Sequence, residues 1–281
     1  MSWTEKRTVK VAILDLYEGA PNQGMRCIHD ILHIWSIQNN IDLLTDVFDV
    51  RLKRIVPDTS YDIYISSGGP GDPLTSRYED WDIEWCRWLD KIIRWNENPD
   101  SLEKKFVFFI CHSFQLASRY LNAGLVCKRK STSFGVFPIH MLQNGKEEQV
   151  FDGLKDPFYA VDSRDFQVIH PNHDLLNELG AKILCIEKSR PHVPYERAVM
   201  GIRFNEYMIG TQFHPEADAV GMTMYLKMEE KRKTVIENHG EAKLISMLEH
   251  LGDPDKIVWT NSHVLPNFLN QAIELPIAVE A

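Results

Sequence analysis

Strand-length apolar runs recur through the first part of the chain. Val9–Leu16 (VKVAILDL) is one continuous run, and Asp62–Ser66 (DIYIS) and Phe106–Ile110 (FVFFI) are two more. Runs without alternation are typical of central parallel strands that are covered on both faces. The segment Asp46–Leu52 alternates instead, and it predicts a further strand.

Two segments between these strands carry apolar residues at helical spacing, namely Met25–Ile37 and Trp81–Trp95. The tryptophan stripe of the second segment is typical of a helix face that packs on a sheet rather than of a ligand site. Strand and helix therefore alternate, which predicts an α/β fold with a doubly wound, mostly parallel, flavodoxin-like sheet. In such sheets ligands bind at the carboxyl ends of the strands.

From Leu125 onward the pattern changes to short strands separated by turns. This change predicts a small antiparallel flap beside the main sheet. The predicted strands are Phe134–Met141, Phe158–Val161, Phe166–Val168, Ala181–Glu187, Arg197–Phe204 and Met208–Gln212.

The last part of the chain has helical periodicity again. We predict helices over Val220–Asn238, Glu241–Leu251 and around Leu265–Ile273. The sequence thus divides into one catalytic-type domain over residues 1–218 and a C-terminal helical extension over residues 219–281 that packs on it.

Charge and cysteine content narrow the possible partners and location. The formal net charge of the 281-residue chain is -9, whereas nucleic acids and anionic membranes require a basic surface, so neither is predicted as a partner. No run approaches the ~20 apolar residues of a membrane span. The five cysteines are scattered without a CxxC pair, which predicts neither disulfides nor a zinc site and favours a reducing cytoplasm.

The candidate nucleophile is Cys111, which directly follows the strand Phe106–Ile110 and precedes a helix-compatible segment. A sharp turn between strand and helix exposes a thiol beside a helix N-terminus, where the thiolate is favoured. The competing interpretation is a buried cysteine at the end of a core strand. The outcome depends on the partners that the rest of the chain supplies.

His214 and Glu216, at the end of another predicted strand, are the residue types that such a thiol requires. A histidine serves as base, and a carboxylate orients it. Acyl transfer also requires two N–H groups directed at the developing oxyanion. The amide of His112 is one candidate, and the glycine loop SSGGPG supplies the other.

Three motifs together resemble class I glutamine amidotransferases, including the glutaminase domain of GMP synthase. They are SGGPGDP after a strand, a cysteine elbow with glutamine four residues later, and FHPE after a distant strand. The resemblance spans roughly residues 8 to 218. It implies that Cys111 is the nucleophile, that His214 is the general base, that Glu216 orients His214, and that Gly69 or its neighbour donates to the oxyanion.

The same resemblance implies a set of substrate-binding residues. Gln115 matches the glutamine that helps to hold the substrate, and Ser133 and Phe134 lie in a segment like the strand that closes over it. Ser163 and Arg164 lie where the family often has a polar turn beside the glutamine pocket. The implied substrate is glutamine or a related γ-glutamyl amide, and no cofactor or metal is implied.

The elbow departs from the family pattern Gly-x-Cys-x-Gly-x-Gln, because Phe109 and Ser113 replace both glycines. Phe109 has to find room in a different arrangement, whereas Ser113 is small. His112 is a second candidate base, but a residue adjacent to the thiol on a strained turn seldom reaches back to it, so geometry favours His214.

Three functions remain open from the sequence. The first is ammonia release from glutamine, either as a stand-alone hydrolase or for a separate synthetase subunit, because the chain contains no synthetase part. The second is acyl transfer of the homoserine acyltransferase type. The third is a degenerate amidotransferase fold kept in a binding or regulatory role. A homo-oligomer is also left open.

Two polar segments carry weaker hypotheses. His170, His173 and Asp174 suggest a metal site, but a polar, proline-bounded turn is the better interpretation. Asn22 to Gly24 either face the cleft or cap a helix.

Overall fold

The computed structural model describes residues 6–20, 22–191, 193–251 and 253–274. The first five residues of the predicted domain (1–5) and the last seven of the predicted helical extension (275–281) therefore lie outside the described residues. No helix in the described part is long and apolar enough to cross a membrane.

Strands and helices alternate as the sequence predicts. The strands are β1 (Thr8–Asp15), β2 (Asp42–Asp49), β3 (Ile63–Ser66), β4 (Phe106–Ile110), β5 (Leu125–Met141), β6 (Phe158–Ile169), β7 (Lys182–Glu187), β8 (Val199–Asn205) and β9 (Met208–Thr211). The helices are α1 (Gln23–Gln38), α2 (Asp80–Glu97), α3 (His112–Tyr120), α4 (Gln143–Lys146), α5 (His173–Glu178), α6 (Ala219–Lys227), α7 (Glu229–His239), α8 (Glu241–Leu251) and α9 (Trp259–Glu274).

All of these strands belong to one sheet, in the order β2-β1-β3-β4-β9-β8-β6-β5-β7. The half from β2 to β9 is parallel, and the half from β9 to β7 is antiparallel. β7 also pairs with β8, so the last four strands close on themselves. The α/β fold is confirmed, and the antiparallel segment continues the main sheet through the β8–β9 pair rather than lying beside it.

The parallel half is covered by helices on both faces. Along β1, Val11 and Ile13 belong to the core on the α1 and α9 side, whereas Ala12 and Leu14 belong to the core on the α2 and α3 side. The tryptophan stripe of α2 packs on the second face, where Trp85 and Trp88 are fully buried. This burial confirms the prediction that the stripe is a packing face.

Two strands of the antiparallel half are longer than predicted. The segments predicted as separate strands around residues 158–161 and 166–168 form one strand, β6, and β5 begins at Leu125 rather than Phe134. The polar stretches between them were expected to be turns. They lie within β5 and β6 instead, and the β5–β6 ladder has a register shift between Lys128 and Ser133. Ser163 and Asp165 of the stretch in β6 face outward, whereas Asp162 and Arg164 are buried and form an ion pair with each other.

The helical segment that follows β9 differs from the prediction at one point. The single helix expected over Val220–Asn238 is two helices, α6 and α7, because Met228 between them has an extended backbone with ψ 125°. The break lets Leu226 and Val235, on either side of it, enter one apolar cluster with β5, β6 and α8.

Helix α9 is part of the main core. Val264, Leu265, Phe268 and Leu269 are fully buried against the β1, β4 and β9 face of the sheet. The Phe268 ring lies edge-on to Phe108 of β4, with centroids 5.1 Å apart. The strand that leads to the thiol thus depends on the last described helix for its packing.

The turn between β4 and α3 holds Cys111 in an unusual backbone conformation, with φ 48° and ψ -96°. A non-glycine residue at positive φ is strained, and such strain clusters at functional sites. Hydrogen bonds hold the turn on both sides. The Cys111 N–H donates to the Thr211 carbonyl at 2.8 Å, and the Gln115 N–H donates to the Cys111 carbonyl at 3.1 Å.

Ser113, which replaces the second elbow glycine, holds the same turn through its buried hydroxyl. Its Oγ accepts from the Ile110 N–H at 2.8 Å and lies 2.6 Å from the Ser66 carbonyl, to which it donates. The serine therefore joins β3, β4 and α3 at the thiol.

Phe109, which replaces the first elbow glycine, finds its room opposite a glycine of the neighbouring strand. It is fully buried and lies beside Gly210 of β9 in the ladder. A Cβ on Gly210 would lie 2.9 Å from Phe114 Cδ2 and 3.0 Å from Phe109 Cβ, closer than real contacts allow. The absent side chain of β9 thus makes space for the bulky residues of the elbow.

We predict that α9 contributes strongly to stability. Phe268→Ala removes a buried ring from the core, so the free energy of unfolding is expected to fall by about 3 to 5 kcal/mol. Denaturant unfolding measures it. Leu248→Ala on α8 is the control, because that side chain is 41% exposed and its loss is expected to cost less than about 1 kcal/mol. Equal effects of the two substitutions would contradict the packing described.

A second prediction concerns the hydroxyl of Ser113. Ser113→Ala leaves the buried Ile110 N–H and Ser66 carbonyl without this partner, so we expect a loss of about 1 to 3 kcal/mol in the free energy of unfolding. The matched control is Ser118→Ala on the same helix, where the hydroxyl is equally buried but has no hydrogen-bond partner in the described residues. We expect the control to change stability little, and a reversed order of the two would refute the interpretation.

Candidate active site

The thiol of Cys111 lies at the carboxyl edge of the parallel sheet, between the elbow and the antiparallel half. The residue is 5% exposed. Its Sγ is 3.6 Å from the carbonyl oxygen of Ser163 on β6 and 3.6 Å from Nε2 of Gln212, just after β9. The sulfur therefore meets a hydrogen-bond acceptor on one side and a donor on the other.

His214 and Glu216 lie on the segment that leaves β9. The His214 N–H donates to the Val161 carbonyl of β6 at 2.9 Å, which fixes this segment against the antiparallel half. Nδ1 of His214 and Oε1 of Glu216 are 2.8 Å apart. Asn261 of α9 donates to the Glu216 carbonyl at 2.8 Å. The turn at Pro215 thus brings imidazole and carboxylate into direct contact.

The imidazole of His214 lies beside the side chain of Cys111, since both border Gly68, and the charges around the imidazole favour its protonated form. Burial alone would lower the pKa of His214. The Glu216 carboxylate and the Cys111 side chain oppose burial and raise the pKa of His214 well above its ordinary value. The arrangement is therefore suited to a thiolate–imidazolium pair.

Two adjacent glycines line the other side of the thiol. A Cβ on Gly68 would lie 2.9 Å from Cε1 of His214 and 3.6 Å from Cβ of Cys111. A Cβ on Gly69 would lie 2.3 Å from the carbonyl oxygen of Leu16, just after β1. Gly68 is thus the residue that borders the thiol and imidazole, and Gly69 closes the loop against β1.

Arg51 fixes this glycine loop, although no motif in the sequence pointed to it. Its Nη1 donates to the Pro70 carbonyl at 2.5 Å and to the Leu16 carbonyl at 3.3 Å. The guanidinium also lies over the Trp81 ring, 4.6 Å from the ring centre. The loop that follows β3 is therefore held by a buried cation from the end of β2.

The side chain of His112 is not placed as a base. It is 2% exposed, and its Nε2 has no hydrogen-bond partner in the described residues. Burial lowers the pKa of His112 to about 3, and the nearby Arg51 acts in the same direction. The ring packs towards Trp81, with ring centres 6.2 Å apart. His112 begins α3, so its backbone N–H is among the first of the helix.

The side chains expected to bind substrate fall into two groups. Ser133, Phe134 and Ser163 lie on the part of the β5–β6 pair that contacts the thiol, and Phe134 pairs with Ser163 in the ladder. Gln115 and Arg164 are buried, and their donors are bonded to protein groups.

Arg164 is the centre of a buried ion-pair cluster. Its Nε donates to Asp162 at 2.8 Å, and its Nη2 donates to Glu187 at 3.1 Å. Arg129 and Arg190 donate to the same Glu187 carboxylate. This cluster stiffens the β5–β6 pair behind the thiol, and direct contact of Arg164 with substrate stays a prediction.

Two residues near the thiol were not identified as candidates from the sequence. Gln212 is fully buried and links Cys111 to Gln115, whose Nε2 is 3.1 Å from Gln212 Oε1. Tyr17, after β1, has a hydroxyl near the same site. Burial raises the pKa of Tyr17 well above its ordinary value, and Glu216 and Cys111 add to the effect. Gln212 could have been found as the polar residue that begins QFHPE, two before His214, whereas no motif includes Tyr17.

The segment at residues 22–24 has both of the roles considered for it. Asn22 caps α1, because its Oδ1 accepts from the Met25 N–H at 2.8 Å. Gly24 borders the site, since a Cβ there would lie 2.5 Å from the Tyr17 hydroxyl and 3.2 Å from Oε1 of Glu216.

The other polar segment, with His170, contacts a carboxylate. His170 Nδ1 is 3.2 Å from Oε1 of Glu196. In the portion of the chain that the structure describes, no three His, Cys, Asp or Glu side chains come together as a metal site would require.

Solved structures of low sequence identity share the fold. A glutamine amidotransferase from Thermotoga maritima has 17% identity and a TM-score of 0.64, over 95% of this chain and 98% of that one. A putative GMP synthase component from Thermoplasma acidophilum has 13% identity and a TM-score of 0.57, over 96% of each chain. The glutaminase domain of CTPS from Trypanosoma brucei, with bound acivicin, has 12% identity and a TM-score of 0.59, over 95% of this chain and 94% of that one.

The family model gives a more direct assignment. No curated protein matches the chain. Residues 37–229 match the model of class-I glutamine amidotransferases, which is more than half of the chain and includes the elbow, the glycine loop and the His214–Glu216 pair. This protein therefore belongs to the class-I glutamine amidotransferase family.

Proposed function

We propose that this protein hydrolyses glutamine, or a related γ-glutamyl amide, through a thioester on Cys111. The observation that carries the proposal is the contact of the strained, elbow-borne thiol with the hydrogen-bonded pair of His214 and Glu216. Family membership supports glutamine hydrolysis in general, and this geometry supports the assignment of roles.

The proposed reaction begins with attack of the Cys111 thiolate on the γ-carbonyl carbon. The new C–S bond gives a tetrahedral oxyanion. When the C–N bond breaks, the His214 imidazolium donates its proton to the leaving nitrogen, and ammonia departs. Water then attacks the thioester while His214 takes its proton. Cleavage of the C–S bond releases glutamate and restores the thiolate–imidazolium pair.

We assign the oxyanion to backbone N–H groups of the glycine loop and of His112. Gly69 was the expected donor of the loop, and the position of Gly68 beside Cys111 and His214 supports Gly68 or Gly69 in that role. The fixation of the loop by Arg51 supports it further, because preorganised donors stabilise developing charge without reorganisation. Ser133, Phe134 and Ser163 would form the wall over the substrate.

We propose that the ammonia passes to a separate synthetase subunit. The neighbours with this fold include a putative GMP synthase component and the glutaminase domain of CTPS. A stand-alone hydrolase is the alternative. The five cysteines are all free, which is compatible with a reducing compartment such as the cytoplasm.

The alternative, a degenerate binding protein, was favoured by the replacement of both elbow glycines. The packing around the elbow removes this argument. Ser113 bonds β4 before the turn and the neighbouring strand β3, and Phe109 is accommodated opposite Gly210. The strained conformation of Cys111 is thus compatible with these replacements.

We predict that a glutamine-mimicking electrophile labels Cys111 alone and that glutamine protects it. Burial raises the pKa of Cys27 and of Cys86 to about 12, and that of Cys185 well above its ordinary value, so these thiols are poor competitors. Mass spectrometry of the labelled protein locates the adduct.

Cys111→Ser should abolish labelling and lower ammonia release from glutamine by roughly a thousandfold or more. Cys127→Ser is the matched control and should keep both. Labelling that glutamine does not affect would exclude glutamine as substrate and favour acyl transfer. Absence of both labelling and ammonia release would favour a binding protein.

A further prediction concerns the pH dependence of ammonia release. The pKa of His214 is raised by Glu216, so Glu216→Gln should lower it, and the imidazolium needed to protonate the leaving group should be lost at lower pH. The basic limb of the pH–rate profile is expected to move down by about 1 to 3 pH units. Asp218→Asn is the control, because Asp218 pairs with Arg26 instead. An unchanged basic limb would contradict the role of Glu216.

A further inference from the structure

Two buried glutamine side chains form a chain of hydrogen bonds that ends on the thiol. Gln115 Nε2 is 3.4 Å from the Phe166 carbonyl oxygen and 3.1 Å from Gln212 Oε1. Gln212 Nε2 is 3.6 Å from Cys111 Sγ. Both side chains are almost completely buried, so water does not replace these partners.

The carbonyl at the far end determines the direction of the whole chain. A backbone carbonyl only accepts hydrogen bonds, so the amide end of Gln115 that faces Phe166 has to be its NH₂. The same NH₂ contacts Gln212, which therefore has to present its oxygen there. The NH₂ of Gln212 is left to face Cys111. The orientation of both amides follows from one fixed acceptor.

We propose that Gln212 is a further catalytic residue, which donates an N–H to the Cys111 sulfur and stabilises the thiolate, and that Gln115 positions Gln212. The proposal rests on the proposed role of Cys111 as nucleophile. It gives Gln115 a different task from contact with substrate, since its NH₂ is directed at Gln212 and the Phe166 carbonyl.

The need for such a donor follows from the other neighbours of the sulfur. The Ser163 carbonyl accepts from the protonated thiol and would repel a thiolate, because it presents only oxygen. The titratable groups that interact with the sulfur are His214, after β9, and Tyr17, after β1, with Glu216 behind His214. His214 favours the thiolate when protonated, and the neutral Gln212 amide favours it at any pH.

The test is the pH dependence of Cys111 alkylation by iodoacetamide, followed by mass spectrometry, with the ultraviolet absorbance of the thiolate as a second measure. For the absorbance, each variant is compared with its Cys111→Ser counterpart, so access of the reagent to the thiol does not matter. Neither measurement requires turnover of glutamine.

We expect Gln212→Met, which keeps the size of the side chain but not its donor, to move the midpoint up by about one pH unit, a tenfold change in the ratio of thiolate to thiol. Gln212→Glu should move it further, because it places a carboxylate beside the sulfur. Gln115→Met should give a smaller upward shift, because the Gln212 amide is then free to turn.

Gln167→Met is the matched control. Gln167 is also fully buried and donates to a cysteine sulfur at 3.6 Å, but that sulfur belongs to Cys127. It should leave the midpoint of Cys111 unchanged. An unchanged midpoint in Gln212→Met, or an equal shift in Gln167→Met, would overturn the proposal. If Gln212→Met does not fold, an unchanged midpoint in Gln115→Met overturns it.

The outcome is separable from that for the proposed function. A shift in the Gln212 variants without any ammonia release from wild-type protein would support the thiolate donor and refute the glutaminase. Ammonia release from wild-type protein, with no shift in the Gln212 variants, would support the glutaminase and refute the thiolate donor.

Discussion

The site depends on the strained backbone conformation of Cys111, which its neighbours have to hold in place. A non-glycine residue at φ 48° is held at a cost of about 1 to 3 kcal/mol and persists only when the surroundings fix it. They do so from four directions. β9 accepts the Cys111 N–H, α3 donates to its carbonyl, Ser113 bonds β3 and β4 beside it, and α9 packs beneath β4. The sheet and both helical layers therefore converge on a single strained residue.

This convergence explains why the groups around the thiol come from distant parts of the chain. The carboxyl ends of parallel strands meet at one edge, so β1, β3, β4 and β9 bring Tyr17, Gly68, Cys111 and His214 together. The antiparallel half adds the Ser163 carbonyl and fixes His214 through Val161. Helix α9 closes the arrangement from below by holding the backbone of Glu216.

The sequence predicted the fold class well, because apolar runs and helical stripes report burial directly. It also placed Cys111, His214 and Glu216 at strand ends, and the structure brings the His214–Glu216 pair beside the thiol. It could not predict Gln212 or Arg51, whose roles arise only where separate strands meet. The same limit applies to Gln115, since its four-residue spacing from the thiol fits a substrate contact as well as a bond to Gln212. The length of β5 and β6 was missed because polar residues within a strand resemble a turn in the sequence, and the partners that bury Asp162 and Arg164 are not visible there.

The glycine at position 210 links the sequence of β9 to the sequence of the elbow. In this elbow, room for Phe109 comes from a glycine on the adjacent strand, across one rung of the ladder. Phe109 and Gly210 thus share one packing space, so a larger residue at position 210 requires a change in the residues packed around Phe109. Homologues with a bulky residue before the thiol are expected to keep a glycine on the partner strand. A motif read along one strand is therefore an incomplete guide to whether an elbow is intact.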